Sequence, residues 1–331
     1  MSGLGVDLGT ANTVVCHPRQ GIVLDEPSLI LQRTGGVRRP AVVAIGREAR
    51  SLVGRAPEGM TAIRPLQDGV ITDLDTARGY LVAILRNVAT QPWQRLGVKA
   101  VIGVPVGASS VERRALLEAA DEARISRATL LAEPIAGAVG CGVDPLDRRT
   151  HMVVDIGGGT AEVTAFCYGG VLANRSCRMA GDEMTLAVYH YLREQHHLLV
   201  GELVAEDIKI HATTGDDTTL VAEGRDAATG RPRLVTVPVD EIADAVKPIT
   251  TTIVRTLAAC LDDLPPQSVG DVMSEGVLLF GGGSLVRGFH QLLEDALGFL
   301  VKPAEQPLTC VALGTARCLT NRRLLDAYST S

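Results

Sequence analysis

Twice along the chain, about half its length apart, an apolar run ends on an aspartate, turns on glycine and small residues, and leaves as another apolar run. The two copies are "GVDLGTANTVV" at 5–15 and "HMVVDIGGGTAEV" at 151–163. A motif that returns at domain spacing constrains the fold strongly, because each copy has to open its own sheet. Short apolar runs bounded by glycine read as strands, so each copy is a hairpin that carries an acid, Asp7 or Asp155, into its turn. Strands and helices alternate after both copies, which predicts two α/β blocks related by a pseudo-twofold with a cleft between them.

The intervening chain supports this. The runs "GVDL", "TVVC", "GIVL", "SLIL" and "AVVAIG" are β-branched strands, followed by a short helix and loop in "REARSLVGRAPEG". Leu81, Ile84, Leu85 and Val88 recur at helical spacing after Asp75, and residues 98–106 form a nearly continuous apolar run of the buried-strand kind. "SSVERRALLEAADEA" opens on a serine cap with Glu112 in its first turn. In the second half, strands run to about 177, and helices are expected at 181–198, 203–210 and 239–263, with two β runs between the last two. "GVLLFGGGS" is a strand entering a third glycine turn, and the end of the chain is helical.

Of 331 residues, 46% are hydrophobic and 21% charged, enough for two cores. A net charge of −6, one Trp and four Phe argue against nucleic acid as a partner. No apolar run is long enough to span a membrane, and the few residues before the first strand leave no room for a signal peptide. The seven cysteines carry no CxxC and read as reduced core thiols of a cytoplasmic protein.

Glycine lets backbone approach a ligand, and a turn of consecutive N–H groups makes an anion nest. One such hairpin is an ordinary β-turn; two at equivalent places could grip a polyphosphate from both sides, with Asp7 and Asp155 beside a hydrated Mg2+. In "LLAEPIAGAVG", Pro134 suits a first helical turn, which fixes Glu133 at a strand-to-helix corner. A carboxylate there could orient a water toward a γ-phosphate; alone, it would read equally as a helix-start acid. No GxxxxGK[ST] occurs, and no GxGxxG follows the first strand, so neither a P-loop nor a Rossmann site is expected.

These elements in this order resemble the actin, Hsp70 and sugar-kinase superfamily, and within it the MreB/Mbl family of bacterial actins. The matching stretches are "DLGTANT", "GIVLDEPS", "AIRPLQDGVITD", "VIGVPVG", "VERRAL", "EPIAGAVG", "VVDIGGGTAEV", "GELVAEDIK", "GVLLFGGGSLVRG" and "PLTCVALG", spread over nearly the whole chain. The resemblance implies an α/β, actin-like duplicated two-domain ATPase fold with an interdomain nucleotide cleft. Domain I would comprise 1–140 plus 312–331, with a small subdomain at about 32–65; domain II would comprise 141–311, with a small subdomain at about 182–246. It implies ATP or ADP with Mg2+ at Asp7 and Asp155. The first phosphate loop would be Gly9, Thr10, Ala11, Asn12 and Thr13, and the second Gly157, Gly158, Gly159 and Thr160. Glu133, Asp155 and Glu162 would serve hydrolysis, Gly181 would flank the cleft, Glu206 and Lys209 would meet the ribose, and Gly281, Gly282, Gly283 and Ser284 the adenine. The chain departs from the family pattern at Ala132, Ala161 and Thr185.

The implied activity is slow ATP hydrolysis coupled to filaments at the inner membrane face that organise cell-wall synthesis and set cell shape. The implied partners are further copies of the chain and cell-wall elongation or division proteins. Trp93 and Leu96, beside Arg95 and Lys99, suit a loop at an anionic membrane surface, or a Trp packed under its own loop. The alternatives on the same cleft are a small-molecule kinase and a non-polymerising ATP-dependent switch. An Hsp70-like chaperone is not expected, since the chain ends soon after "FGGGS".

Overall fold

The computed structural model describes residues 3–33, 41–67, 70–71, 73–89, 97–215 and 217–330. The first motif builds β1 (Gly3–Leu8) and β2 (Asn12–His17), and β3 (Gly21–Pro27) extends the antiparallel meander. β4 (Ile30–Arg33), β5 (Ala41–Ile45) and β6 (Met60–Ile63) form a small separate sheet, with α1 (Gly46–Arg50) between its strands. The short pair β7 (Leu66–Gln67) and β8 (Val70–Ile71) leads to α2 (Leu74–Val88). Then β9 (Lys99–Val104), α3 (Ser110–Glu122), β10 (Arg127–Ala132) and α4 (Glu133–Gly140) complete the first block.

The second motif repeats the plan with β11 (His151–Ile156), β12 (Ala161–Cys167) and β13 (Gly170–Cys177). α5 (Gly181–His196), β14 (Leu198–Leu199), α6 (Glu202–Thr214), β15 (Thr219–Asp226) and β16 (Pro232–Pro238) follow, the three strands forming a second small sheet. α7 (Val239–Asp262) and α8 (Pro266–Glu275) lead to β17 (Val277–Phe280), a 3-10 turn at Gly282–Leu285, α9 (Phe289–Leu297) and β18 (Val301–Pro303). α10 (Cys310–Cys318), α11 (Arg322–Tyr328) and β19 (Ser329–Thr330) return to the first sheet, where β19 pairs with β10.

The duplication holds strand for strand. β3-β2-β1-β9-β10 and β13-β12-β11-β17-β18 have the same spatial order, antiparallel through the meander and parallel beyond it. Parallel strands covered on both faces should be apolar throughout, and β9 is buried at every residue after Lys99. Its ladder stops at Val104, short of the expected 106, because Pro105 has no N–H to donate. On α2, Asp73 caps the first turn by accepting from the Thr76 N–H at 2.7 Å, and Ala77, Tyr80, Leu81, Ile84 and Leu85 form the buried face. α3 carries the Ser109–Glu122 region's full capping box, Ser109 with Glu112.

Each half has its own apolar core, and a third core lies between them, built from Val101 and Leu131 of one sheet, Val153 and Phe280 of the other, and Ile135 and Cys310 of the helices. At its centre α4 crosses α10. A Cβ on Gly140 would overlap the Cys310 carbonyl, and one on Gly314 the Ala136 carbonyl, so glycine at both places lets the two helix backbones touch. The chain passes from the first large sheet to the second through 141–150 and returns through 304–309.

Candidate functional site

A cleft of about 270 Å3 opens where β1, β11 and β17 end. The two hairpin turns meet at its floor: a Cβ on Gly158 would lie 2.8 Å from Ala11 Cβ and 3.1 Å from its backbone nitrogen. Each turn is anchored from behind. Ser28 donates its hydroxyl to the Gly9 carbonyl (2.6 Å) and its N–H to the Ala11 carbonyl (2.8 Å). In the second turn, the first N–H groups of α5 do the same work: Gly181 donates to the Gly157 carbonyl (3.2 Å) and Asp182 to the Gly158 carbonyl (2.7 Å). A trans peptide directs its N–H opposite to its C=O, so the amides of Thr10, Asn12, Gly158 and Gly159 point away from these anchors. This is the geometry of a pair of anion nests facing each other.

Asp7, Glu133 and Asp155 line the cleft, each only partly exposed. Burial pushes Asp7 up to about 7. Burial, then the charges of Asp7, Asp155 and Glu162, holds Glu133 well above the carboxylate range; Asp155 is raised by burial, then by Asp7 and Glu162. Carboxylates enclosed in this way favour a cation in their midst. Among the described residues no three His, Cys, Asp or Glu side chains are grouped to hold a metal by themselves. Mg2+ fits nonetheless, because it keeps several waters and takes one or two carboxylates plus phosphate oxygens.

The cleft wall on the second half is a buried polar cluster. Lys209 Nζ donates to the Gly181 carbonyl (2.9 Å) and to Thr185 Oγ1 (3.0 Å) and pairs with Glu206 (2.6 Å); the Thr185 hydroxyl in turn bonds the Glu206 carboxylate. Gly281, Gly282 and Gly283 line the cleft beside Asp155, together with Ile210, Val286 and Leu308. Gly281 has φ +83°, and a Cβ there would lie 2.6 Å from Asp155 Oδ1, so glycine is required twice over.

The structure thus brings together Asp7, Gly9, Thr10, Ala11, Asn12, Glu133, Asp155, Gly157, Gly158, Gly159, Thr160, Gly181, Glu206, Lys209, Gly281, Gly282 and Gly283. Three expected residues stand apart. Thr13 is fully buried, its hydroxyl 2.8 Å from Ser28 Oγ and accepting from Tyr80 (3.0 Å). Glu162 pairs with Asp155 across the hairpin, yet only 4% of it is exposed. Its carboxylate accepts from the Val106 N–H (3.0 Å) and from Asn174 (3.1 Å), so it braces the two halves behind the cleft instead of facing it. Ser284 lies just beyond the lining and donates to the Gly281 carbonyl (2.6 Å), closing the turn. Trp93 and Leu96 lie outside the described residues. The sequence reading missed Thr213 and Thr214, which lie about one turn beyond Lys209 on α6, and Pro307 and Leu308 ahead of α10. Helical spacing from Lys209 could have found the threonines.

The MreB/Mbl protein family model matches residues 1–327, and the chain belongs to that family of bacterial actins. The cell shape-determining protein MreB of Escherichia coli K12 is 39% identical over 321 residues, 96% of this chain and 92% of that protein. The cell shape-determining protein Mbl of Bacillus subtilis is 36% identical over 328 residues, 96% of each chain. Among solved structures, MreB5 of Spiroplasma citri bound to ADP superposes with a TM-score of 0.89 at 26% identity, over 98% of this chain and 97% of that one. The MamK double helical filament, at 24% identity and a TM-score of 0.79 over 96% of this chain and 98% of that one, shares the actin-like fold.

Proposed function

We propose that the cleft binds an adenine nucleotide with Mg2+ and hydrolyses ATP slowly, and that the nucleotide state governs assembly of the chain into filaments. The observation that carries this reading is the pair of anchored glycine turns, face to face, with Asp7 and Asp155 at their strand ends. The relatives support it: MreB5 of Spiroplasma citri has been solved bound to ADP and to AMPPNP. The amides of the two turns hold the phosphate oxygens, and the cluster of Glu206 and Lys209 flanks the ribose. The turn from Gly281 to Ser284 lies against the base, with Ile210 and Leu308 supplying apolar contact. Asp7 and Asp155 would hold Mg2+ through its waters, and the ion would supply charge neutralisation along the phosphates. Glu133, fixed at the first turn of α4, orients the attacking water.

The proposal extends to assembly. Subunits join head to tail through heterologous contacts, which grow without closing. The filaments would set cell shape by organising cell-wall synthesis and lie on anionic membrane through the segment around Trp93 and Leu96; the relatives named cell shape-determining proteins support the role in shape. No helix among the described residues is long and apolar enough to cross a membrane. Domain I is taken as 1–140 plus 312–331, and domain II as 141–311. Calorimetric titration tests the site itself: saturable ATP binding that needs Mg2+ is expected, and no binding with Mg2+ present contradicts the reading.

A further inference from the structure

Three hydroxyls stand in line behind the first glycine turn and end on one of its carbonyls. The Tyr80 hydroxyl, from the buried face of α2, lies 3.0 Å from Thr13 Oγ1. Thr13 Oγ1 lies 2.8 Å from Ser28 Oγ, and Ser28 Oγ lies 2.6 Å from the Gly9 carbonyl. Tyr80, Thr13 and Ser28 are each no more than 1% exposed, so bulk water does not compete for these bonds. Counting hydrogens fixes the direction of the line, because each hydroxyl has one proton to give. A carbonyl only accepts, so Ser28 gives its proton to Gly9 and must accept from Thr13. Thr13 has then given its own proton and must accept from Tyr80. The Pro27 carbonyl, 3.4 Å from the phenol, is the longer and weaker alternative acceptor. Burial pushes the Tyr80 phenol up to about 12, so it keeps its proton around neutral pH. We propose that Tyr80 is a positioning residue for the first turn: through Thr13 and Ser28 it holds and polarises the Gly9 carbonyl, strengthening the Thr10 N–H as a donor into the cleft.

The Gly9 carbonyl and the Thr10 N–H belong to one planar, conjugated peptide, in which the two groups point opposite ways. A hydrogen bond received at the oxygen draws charge from the nitrogen, which makes the N–H a better donor. Hydrogen bonds that run in one direction polarise one another, most of all where the surroundings are dry. Each hydroxyl behind Ser28 therefore adds to the pull on Gly9. The line also spans elements that are distant in sequence: α2 supplies the phenol, β2 the threonine, and the segment after β3 the serine. The second turn is held differently, its Gly157 and Gly158 carbonyls accepting from the backbone amides of Gly181 and Asp182. The two halves of the duplicated site thus differ in what stands behind their turns, and only the first is tied to a buried phenol in this way.

The effect on a ligand rests on the nucleotide reading, whereas the hydroxyl line itself does not. Tyr80→Phe removes one oxygen and keeps the ring. With isotope labels on the glycine carbonyl carbon and the threonine nitrogen, only the Gly-Thr steps 9–10, 159–160 and 314–315 give carbonyl-coupled amide signals in the NMR spectrum. In the full chain without nucleotide, Tyr80→Phe should move the Thr10 signal and leave the other two in place. An unmoved Thr10 signal would overturn the line. Calorimetric titration with Mg-ADP should show binding weakened about threefold or more in Tyr80→Phe. Thr13→Val, which breaks the line at its middle, should weaken binding at least as much, and adding Tyr80→Phe to it should cost no further affinity. Additive losses would show that Tyr80 acts through packing alone, and unchanged affinity in Tyr80→Phe would show that the polarisation does not reach the ligand; either result overturns the proposal. A native chain that binds no Mg-ADP contradicts the nucleotide reading instead, and the Thr10 signal still decides the line.

Discussion

Asp7 raises both Asp155 and Glu133, and Asp155 raises Glu133 in turn, each adding to burial, because all three face the same enclosure. Asp7 rises from 3.8 to about 7 in the folded chain. Between those values the folded state binds more protons than the unfolded state, so the contribution of this group is complete below about pH 4 and is lost as pH rises toward 7. In the absence of nucleotide and divalent ions, the melting temperature of the native chain should fall across that window relative to Asp7→Asn. Parallel curves for the two proteins would mean that Asp7 ionises normally. Glu133→Ala should retain ATP binding and lose about tenfold or more in hydrolysis rate; unchanged turnover would remove Glu133 from the chemistry. Asp7, Asp155 and the turn glycines were legible because the motif occurs twice. Thr13 and Glu162 were not placed correctly by sequence. Side chains alternate along β2, so Asn12 stays at the cleft and Thr13 turns inward. Glu162 does share a face with Asp155, but the Val106 amide that captures it comes from a distant part of the chain.

At the level of elements, the site depends on contacts between turns and between helices. Gly158→Ala places a methyl group 3.1 Å from the Ala11 nitrogen, which should part the two turns and weaken nucleotide binding more than it lowers the melting temperature. Titration and thermal melts on the same variant separate these effects; a large loss of stability with unaltered affinity would count against the facing-turn geometry. Gly140→Ala acts elsewhere, driving a methyl group into the Cys310 carbonyl at the helix crossing. Overpacking of this sort costs about 1–3 kcal/mol, so its thermal or denaturant midpoint should drop clearly, and an unshifted midpoint would show that α4 and α10 separate freely. The hairpins, capped helices and buried strand β9 followed from local pattern. The crossing of α4 with α10 did not, because its glycines matter only through residues far away in sequence. The short strands β14, β18 and β19 carry too few residues for any periodicity to be read.

Across the whole molecule, the repeated motif predicts two matched sheets, and the strand order repeats from one to the other. What the motif does not reveal is how α1 and the segment after β6 meet α5 and α6 across the two halves. Arg50 pairs with Asp207 at 2.7 Å, and Arg64 with Asp182 at 2.7 Å and Glu202 at 3.2 Å, joining the two halves through side chains more than a hundred residues apart. Asp182 also lines the cleft, so one of these pairs borders the cleft directly. Partly exposed pairs of this type contribute about 0–1 kcal/mol each and are screened by salt. Arg64→Ala should therefore speed nucleotide release by a few-fold at low ionic strength, with the difference shrinking as salt is added. Equal release rates at every salt concentration would show that these pairs do not hold the cleft shut. The central claim, that nucleotide in the cleft governs assembly, is tested most directly by electron microscopy of the purified chain on anionic lipid, with Mg-ATP and without nucleotide. The account predicts filaments with Mg-ATP and dispersed particles without it; dispersed particles under both conditions, from protein shown to bind ATP, would contradict it.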